Sequence, residues 1–297
     1  MNSLVVEGPA VNGPGTNGTC LSGNGIGNGI GNGNGNGNGI GNGDGNGDGN
    51  GNGNGIGNVT IADCGDSALV AKAVGLDAEA AWRLVHALAD ALNAVQLTGV
   101  HDVVPTYDAL LVEFDCAATD HATVRRVLAH EADRLGPHPA PTTPPRRFLV
   151  PVVYGGEYGP DLPEVAAQLG LTEGEIIALH SGSDLTVRCL GAPAGAPMTD
   201  GPPFPKPVPR LASPRTRVDP GSVAVAGRQA VICPMPSPGG WPLLGRTPVR
   251  VLDLHSDPIT AYRPGDTFRF RPIEPQQWDD YADLSLADCT DPVVRHG

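Results

Sequence analysis

A tract of alternating glycine limits how much of this chain can fold. From Gly23 to Gly57 every odd-numbered residue is glycine, and Asn, Ile or Asp fills the positions between. Such a segment has almost no apolar surface to bury, and its backbone loses the most entropy on ordering. A calcium-binding repeat would need a nonapeptide period with recurrent Asp, whereas this tract has a dipeptide period and only Asp44 and Asp48. We therefore expect residues 1–58 to form a disordered, solvated tail.

Charge, hydropathy and cysteine spacing exclude several classes of function. The formal net charge is −13 and no cluster of Lys or Arg occurs, which argues against nucleic acid as a partner. The sequence holds no apolar run long enough to cross a membrane and no leader-like N-terminus, so we expect a cytoplasmic protein without a membrane partner. The six cysteines are scattered, without a C-x-x-C or Cys/His cluster, so we expect free thiols and no metal site.

Hydrophobic periodicity predicts a small N-terminal α+β domain over residues 59–142. In order, the pattern indicates strand material over 59–74, a helix over 78–95, strands over 100–105 and 109–114, and a helix over 122–135. A further strand over 147–153 follows. This order of elements fits a ferredoxin-like sandwich.

Shorter elements follow and predict a second domain over residues 147–273. Short helical patterns cover 162–169 and 173–180, and short strands divided by Gly and Pro cover 221–226, 229–233, 247–254 and 267–271. Many short strands with turn signals indicate a barrel or a sandwich. We expect residues 191–214, rich in Pro and Gly, to be a long loop, and residues 274–297 to be an acidic, frayed C-terminal tail.

The glycine-rich segment over residues 237–248 is the strongest candidate for binding. It combines the Gly239-Gly240 pair with Trp241, Arg246 and Thr247, between apolar stretches rich in β-formers. Glycines let other groups approach the main chain, and the arginine fork suits a carboxylate or a phosphate. We expect a loop on a rigid sheet that offers Arg246 to an anion. A purely structural hairpin stays open as the alternative.

The same segment is one residue from a phosphate-binding P-loop. Residues 240–247 read G-x-x-x-x-G-R-T, so Arg246 stands where that motif has Lys. Pro242 interrupts the loop, and the residues that follow are not helical in pattern. These differences argue against a genuine P-loop.

Ordered motifs over residues 60–273 resemble the family of the 5-oxoprolinase B subunit, also called allophanate hydrolase subunit 1 or the KipI-like kinase inhibitor family. The matching segments are Gly65-Asp66-Ser67-Ala68-Leu69, 152–162, 176–181, Pro214-Arg215 with 220–223, 237–248, and Pro264-Gly265-Asp266. The resemblance implies an α+β fold with an N-terminal α+β domain and a C-terminal cyclophilin-like β-barrel. It also implies a hydrolase subunit that works with partner subunits A and C, with ATP as co-substrate, to convert 5-oxo-L-proline to L-glutamate.

That chemistry requires cationic groups for phosphate and for the substrate carboxylate. We expect the catalytic residues to be His180 and Arg246, and the substrate- or anion-binding residues to be Arg210, Arg215, Gly239, Gly240, Trp241, Thr247 and Gly195. For His180 two interpretations stay open, a general base or a packing residue at its helix end. Arg215 is either an anion ligand or half of a salt bridge to a barrel carboxylate. Asp161 fits a helix cap better than a metal ligand.

One segment departs from the family pattern and keeps other functions open. Residues 191–198 keep Gly191, Pro193 and Gly195 of a G-F-x-P-G-F-x-Y-L-type loop, but its aromatics are replaced by alanine or absent. The alternatives are a carboxyltransferase or allophanate hydrolase-type subunit of urea degradation, and a KipI-like inhibitor of a histidine kinase. The active site is incomplete in this sequence, which indicates that partner chains finish it.

Overall fold

An antiparallel sheet backed by helices precedes a closed barrel in the computed structural model, which describes residues 54–140 and 143–291. Each part has its own buried apolar core. The expected α+β class with a C-terminal barrel is therefore confirmed, while the domain boundaries stay predictions. Within the described ranges, no helix has the length and apolar character that a membrane span needs.

The N-terminal sheet is wholly antiparallel, in the order β1-β2-β3-β5-β4. Its strands are β1 (Asn54–Ile56), β2 (Val59–Asp63), β3 (Ala68–Ala73), β4 (Val100–Pro105) and β5 (Ala109–Phe114). Helices α1 (Ala78–Val95) and α2 (His121–Leu135) pack on one face through the residues of a single core cluster. The strands and helices predicted for this region are confirmed.

Local sequence explains why both helices start where they do. Asp77 precedes α1 and its carboxylate accepts from Ala80 N at 2.8 Å. Asp120 precedes α2 and accepts from Thr123 N at 2.7 Å. Each carboxylate satisfies a backbone donor that the first helical turn leaves unpaired.

The strand over 147–153 exists, but it lies in the barrel and does not complete the N-terminal sheet. It is β6 (Arg147–Tyr154), which pairs in parallel with β14 (Thr267–Pro272). In the N-terminal sheet, β2 lies beside β3 at the position that a ferredoxin-like plan gives to the last strand. The β2–β3 hairpin closes a short local loop, which costs less entropy than returning a distant strand.

Seven strands close the barrel in the circular order β6-β13-β10-β11-β8-β7-β14 and back to β6. The remaining strands of this circle are β7 (Asp184–Gly191), β8 (Ala196–Asp200), β10 (Ser222–Ala226), β11 (Gln229–Ile232) and β13 (Leu243–Arg246). Helices α3 (Leu162–Leu169) and α4 (Glu173–Ser181) contribute apolar side chains to the barrel core. A separate two-stranded ribbon pairs β9 (Arg215–Val218) with β12 (Ser237–Gly239).

Two predictions for the barrel segments are wrong. Residues 191–214 are not one loop, because β8 lies within them and pairs with β7 and β11. The strand expected over 247–254 is absent; the strand is Leu243–Arg246, which joins β10 to β6 and so closes the barrel. The β-branched residues after Arg246 had a strand-like composition, but pairing with two neighbours decides which segment is the strand.

The chain after residue 273 folds against the barrel, so the expected frayed tail is wrong as far as residue 291. Two 3₁₀ helices (Pro275–Asp280 and Leu286–Cys289) precede β15 (Thr290–Asp291), which pairs with β6. Leu286 is 1% exposed and anchors this segment in the core. At the other end, residues 54–56 of the expected tail form β1. Residues 1–53 and 292–297 lie outside the described part.

Candidate functional site

The β9–β12 ribbon brings several of the predicted binding residues together. Gly239 lies opposite Arg215 in the ribbon, and a Cβ on Gly239 would be 2.9 Å from Val218 Cγ2, so glycine permits the close packing. The Gly240 carbonyl accepts from Leu211 N at 2.8 Å. We call Arg210, Arg215, Gly239, Gly240 and Trp241 the Arg/Trp cluster.

Arg210 and Trp241 form the outer part of the Arg/Trp cluster. The Arg210 guanidinium lies 5.8 Å from the Trp241 ring centroid, and the Arg210 side chain is exposed. Trp241 packs against the small core cluster of Val218, Ala224 and Leu243. A guanidinium over an indole face keeps its donors free for an anion while the ring restricts its motion.

Arg215 is held by a carboxylate and is not a free cation. Its Nη2 donates to Asp161 Oδ1 at 2.7 Å, and the other carboxylate oxygen accepts from Leu243 N at 2.7 Å. Asp161 is the N-cap residue of α3, as expected, and its carbonyl accepts from Val165 N at 2.9 Å, but its side chain makes no cap bond. The structure thus contains the salt bridge that was one of the two interpretations of Arg215, while anion binding by Arg215 stays a prediction. Its Nη1 is buried without a hydrogen-bond partner among the described residues.

Arg246 ends strand β13 and is fixed from two sides. Its Nε donates to the Pro220 carbonyl at 2.9 Å, and its guanidinium lies 5.5 Å from the Trp278 ring centroid. Asp219 Oδ2 is 3.9 Å from Nη1. The side chain stays 33% exposed, so an anion can still reach it. Sequence reasoning missed Trp278, because it lies in the segment expected to be frayed.

Thr247 is a structural residue directly after β13, the strand that closes the barrel. It is 2% exposed, its amide donates to the Gly221 carbonyl at 2.9 Å, and its Oγ1 accepts from Val249 N at 3.2 Å. Residues 243–246 form a strand of the closed barrel and no helix follows them. A phosphate-binding loop at residues 240–247 is thus excluded, in agreement with the sequence.

His180 is buried in the barrel core. Its Nδ1 lies 2.7 Å from the Tyr154 hydroxyl, and its ring stacks on Phe270 with centroids 4.4 Å apart. The side chain is 0% exposed, and burial lowers the pKa of His180 to about 3. Burial also raises the pKa of Tyr154. The ring is therefore neutral near pH 7, and its Nε2 finds no hydrogen-bond partner among the described residues.

Gly195 lies behind the wall of a cavity that the sequence did not reveal. The Gly195 carbonyl accepts from Tyr262 Oη at 2.8 Å, and a Cβ on Gly195 would be 3.3 Å from Thr260 Cγ2. Thr260 and Tyr262 line a cavity of about 700 Å³. Other lining side chains are Arg146, Arg250, Val251, Arg263, Ser285 and Leu286. They come from three separate segments without a motif, so no local signal could identify them.

The described residues offer cationic anchors but not a complete catalytic site. Arg210 and Arg246 are accessible cations, whereas Arg215 is paired and His180 is closed to solvent. No group of His, Cys, Asp or Glu in this part of the chain could hold a metal ion. The arrangement can bind an anion, but nucleophile and general base would have to come from substrate, water or another chain.

Comparison with known proteins identifies similar sequences across most of the described chain. Residues 59–262 match the family described as "Carboxyltransferase domain, subdomain C and D". The 5-oxoprolinase B subunit of Escherichia coli O157:H7 is 36% identical over 193 residues, which cover 64% of this chain and 84% of that protein. The 5-oxoprolinase B subunit of Bacillus subtilis (strain 168) is 31% identical over 236 residues, which cover 76% and 97%.

Solved structures share the fold. TTHA0988 matches with a TM-score of 0.60 and 36% sequence identity; the match covers 70% of this chain but 40% of that one. This chain therefore spans less than half of the TTHA0988 chain. The urea carboxylase of Kluyveromyces lactis matches with a TM-score of 0.61 at 17% identity, over 75% of this chain and 22% of that one, a likeness of fold alone.

Proposed function

Because the chain belongs to the family of 5-oxoprolinase B subunits, we propose that it is one subunit of a hydrolase that opens 5-oxo-L-proline to L-glutamate with ATP as co-substrate. The observation that carries the proposal is the match to the B. subtilis protein, which extends over 97% of that chain. Partners of the type of subunits A and C complete the active site. A complex that uses ATP and releases glutamate fits a cytoplasmic location.

The reaction explains why the site needs cations. Opening a lactam is coupled to ATP when the lactam oxygen takes the γ-phosphoryl group and ADP leaves. Water then adds to the activated carbon, the C–N bond breaks, and a second water releases phosphate from the resulting acyl phosphate. Negative charge builds on phosphoryl and carboxylate oxygens throughout, and fixed guanidinium groups stabilise it.

The accessible arginines are suited to this role. Arg246 keeps part of its guanidinium exposed while Pro220 and Trp278 fix its direction. Arg210 stands over Trp241 in the Arg/Trp cluster. We assign anion binding to these two side chains, and to Arg215 a positioning role through Asp161. His180, closed to solvent, fits a positioning role through Tyr154 better than direct proton transfer.

Reconstitution tests the proposal. The full chain is co-expressed with subunits A and C of a 5-oxoprolinase from the same source, and ADP release is measured with and without 5-oxoproline. We expect co-purification, and ADP release that depends on 5-oxoproline only when all chains are present. Equal activity without this chain, or chains that never associate, would contradict the proposal.

A carboxyltransferase-type function is the second candidate. The description of the matching family and the fold shared with urea carboxylase favour it. The same reconstituted preparation distinguishes the two, because a carboxyltransferase would transfer carboxylate from a carboxylated biotin carrier to urea or a similar acceptor. Bicarbonate- and urea-dependent ATP turnover without response to 5-oxoproline would select this alternative.

A further inference from the structure

The cavity that borders Gly195 has the chemistry of an anion site. Three arginines line it, Arg146, Arg250 and Arg263, in a chain whose net charge is −13. The volume of about 700 Å³ lies in the usual range for small-molecule sites. Val251, Tyr262 and Leu286, each at most 5% exposed, contribute buried apolar surface to the lining.

Two of these arginines are fixed at the rim by one buried carboxylate. Asp266 is 0% exposed and accepts from Arg146 Nη2 at 2.6 Å and from Arg263 N at 3.0 Å. Arg146 and Arg263 keep 44% and 41% of their side chains exposed. The Arg263 side chain lies 3.9 Å from Asp266 through Nε, and its Nη2 donates to the Pro144 carbonyl at 3.0 Å. Asp266 thus neutralises part of the charge of both arginines beside the cavity.

Arg250 is the cation left for a ligand. Its guanidinium forms no hydrogen bond or ion pair within the described ranges, and the side chain is exposed. The nearest carboxylates are engaged in their own turns: Asp253 accepts from His255 N at 3.0 Å and Ser256 Oγ at 2.9 Å, and Asp288 accepts from Ser285 Oγ at 2.7 Å. Asp253 and Asp288 both interact electrostatically with Arg250, so together with Asp266 they match the three arginines in number. Among the three arginines, Arg250 is the one whose guanidinium donates no hydrogen bond within the described ranges, so its donors are open to a ligand.

We propose that this cavity binds the carboxylate of a small lactam acid, 5-oxoproline, through Arg250. The identity of the ligand rests on the proposed function; the existence of a monocarboxylate site rests on the cavity itself. Thr260 also lines the cavity, and its hydroxyl has no hydrogen-bond partner in the described part, so it can donate to a ligand oxygen. Gly195, which packs behind Thr260, then acts through this wall and not by direct contact.

Calorimetric titration of the full chain tests the site with two probes. The probes are 5-oxo-L-proline and 2-pyrrolidinone, the same lactam without the carboxylate. Two variants change the site: Arg250→Gln removes the charge, and Thr260→Val keeps the side-chain shape but removes the hydroxyl. The matched control is Arg126→Gln, which changes an exposed arginine on α2. We expect Arg250→Gln to weaken 5-oxoproline binding at least about tenfold, Thr260→Val to weaken it less, and Arg126→Gln to leave it unchanged.

Each outcome decides the inference separately from the proposed function. If the isolated chain binds too weakly to titrate, the KM for 5-oxoproline of the reconstituted complex takes its place, and Arg250→Gln should raise it about tenfold. The site is contradicted if Arg250→Gln and Arg126→Gln have the same affinity or KM for 5-oxoproline. It is also contradicted if wild type binds 2-pyrrolidinone as tightly as 5-oxoproline. A wild-type complex without 5-oxoproline-dependent ADP release contradicts the proposed function, while Arg250-dependent binding would still support the site. If neither 5-oxoproline-dependent ADP release nor Arg250-dependent binding is observed, both the proposed function and the site are contradicted.

Discussion

Asp161 and Arg215 form an ion pair across the barrel surface, with Arg215 Nη2 2.7 Å from Asp161 Oδ1, although they are 54 positions apart in sequence. Asp161 also accepts from Leu243 N, at the start of the strand that closes the barrel. One carboxylate therefore ties the beginning of α3, the β9–β12 ribbon and strand β13 together. Its side chain is 11% exposed and that of Arg215 is 30% exposed, so water screens the pair only in part.

Replacing this carboxylate should destabilise the protein. Asp161→Ala leaves Leu243 N and the Arg215 guanidinium without their partner, and we expect a loss of about 2–3 kcal/mol in the free energy of unfolding. Urea denaturation measures it. The control is Asp108→Ala, which removes an exposed pair with Lys72 at 3.6 Å and should cost less than about 1 kcal/mol. If the two substitutions lower the free energy of unfolding equally, the Asp161 pair contributes no more to stability than an exposed surface pair.

The local elements could be predicted from the sequence, whereas strand partners could not. Helix α1 begins and ends as predicted because its apolar spacing and the Asp77 cap are local signals. The parallel partner of β6 is β14, far along the chain, and no periodicity encodes that pairing. Likewise Leu243–Arg246 became the closing strand because β10 and β6 both present free edges to it.

The candidate site was only partly predictable for the same reason. Residue type identified Arg246 as a cation on the barrel, and the structure leaves it accessible. Residue type could not reveal that Asp161 occupies Arg215 or that Thr247 is buried. The cavity around Arg250 is assembled from three chain segments, so only the folded chain brings its residues together.

Stability should fall with acid because His180 is buried without charge. Its pKa is about 3 in the folded protein against 6.5 for a free side chain. Between these pH values His180 is protonated in the unfolded chain but not in the folded chain. The free energy of unfolding is therefore greatest above about pH 6.5 and declines as pH falls. The limiting slope is about 1.4 kcal/mol per pH unit for one such group.

The variant His180→Gln should flatten this dependence. Urea unfolding of wild type and variant between pH 7.5 and pH 3 measures how steeply the free energy of unfolding changes with pH. His86→Gln provides a second comparison, because burial lowers the pKa of His86 to about 4, and its contribution should end at a higher pH. An unchanged slope in His180→Gln would show that the imidazole accepts a proton in the folded state.

Removal of residues 1–53 should leave folding intact, whereas removal of residues 1–58 should cost stability. The shorter deletion takes away residues 1–22 and most of the alternating-glycine tract, which has almost no apolar surface to bury. The longer one also removes β1 and Asn58, whose Nδ2 donates to the Val74 carbonyl at 3.1 Å and whose carbonyl accepts from Val74 N at 2.8 Å. We expect about 1–2 kcal/mol for these contacts. Equal melting temperatures for the two deletions would mean that β1 contributes nothing.

Arg246→Lys should impair activity far more than stability. Lysine keeps the charge but loses the planar fork that can hold two oxygens of an anion, and its ammonium stacks less well on Trp278. We expect 5-oxoproline-dependent ADP release by the reconstituted complex to fall about 10- to 100-fold, which corresponds to about 1.5–3 kcal/mol. The melting temperature should change little, because the side chain is 33% exposed and its backbone bonds in β13 persist.

The matched control is Arg217→Lys on β9, an arginine that is 68% exposed and pairs with Asp219 at 3.1 Å. It should leave both activity and melting temperature near wild type, since an exposed pair adds little to stability. If Arg246→Lys behaves like this control, Arg246 does not contact the reacting anion. A large drop in melting temperature would instead show that the bond to Pro220 and the contact with Trp278 hold the barrel seam together, and the assignment of anion binding to Arg246 would be withdrawn.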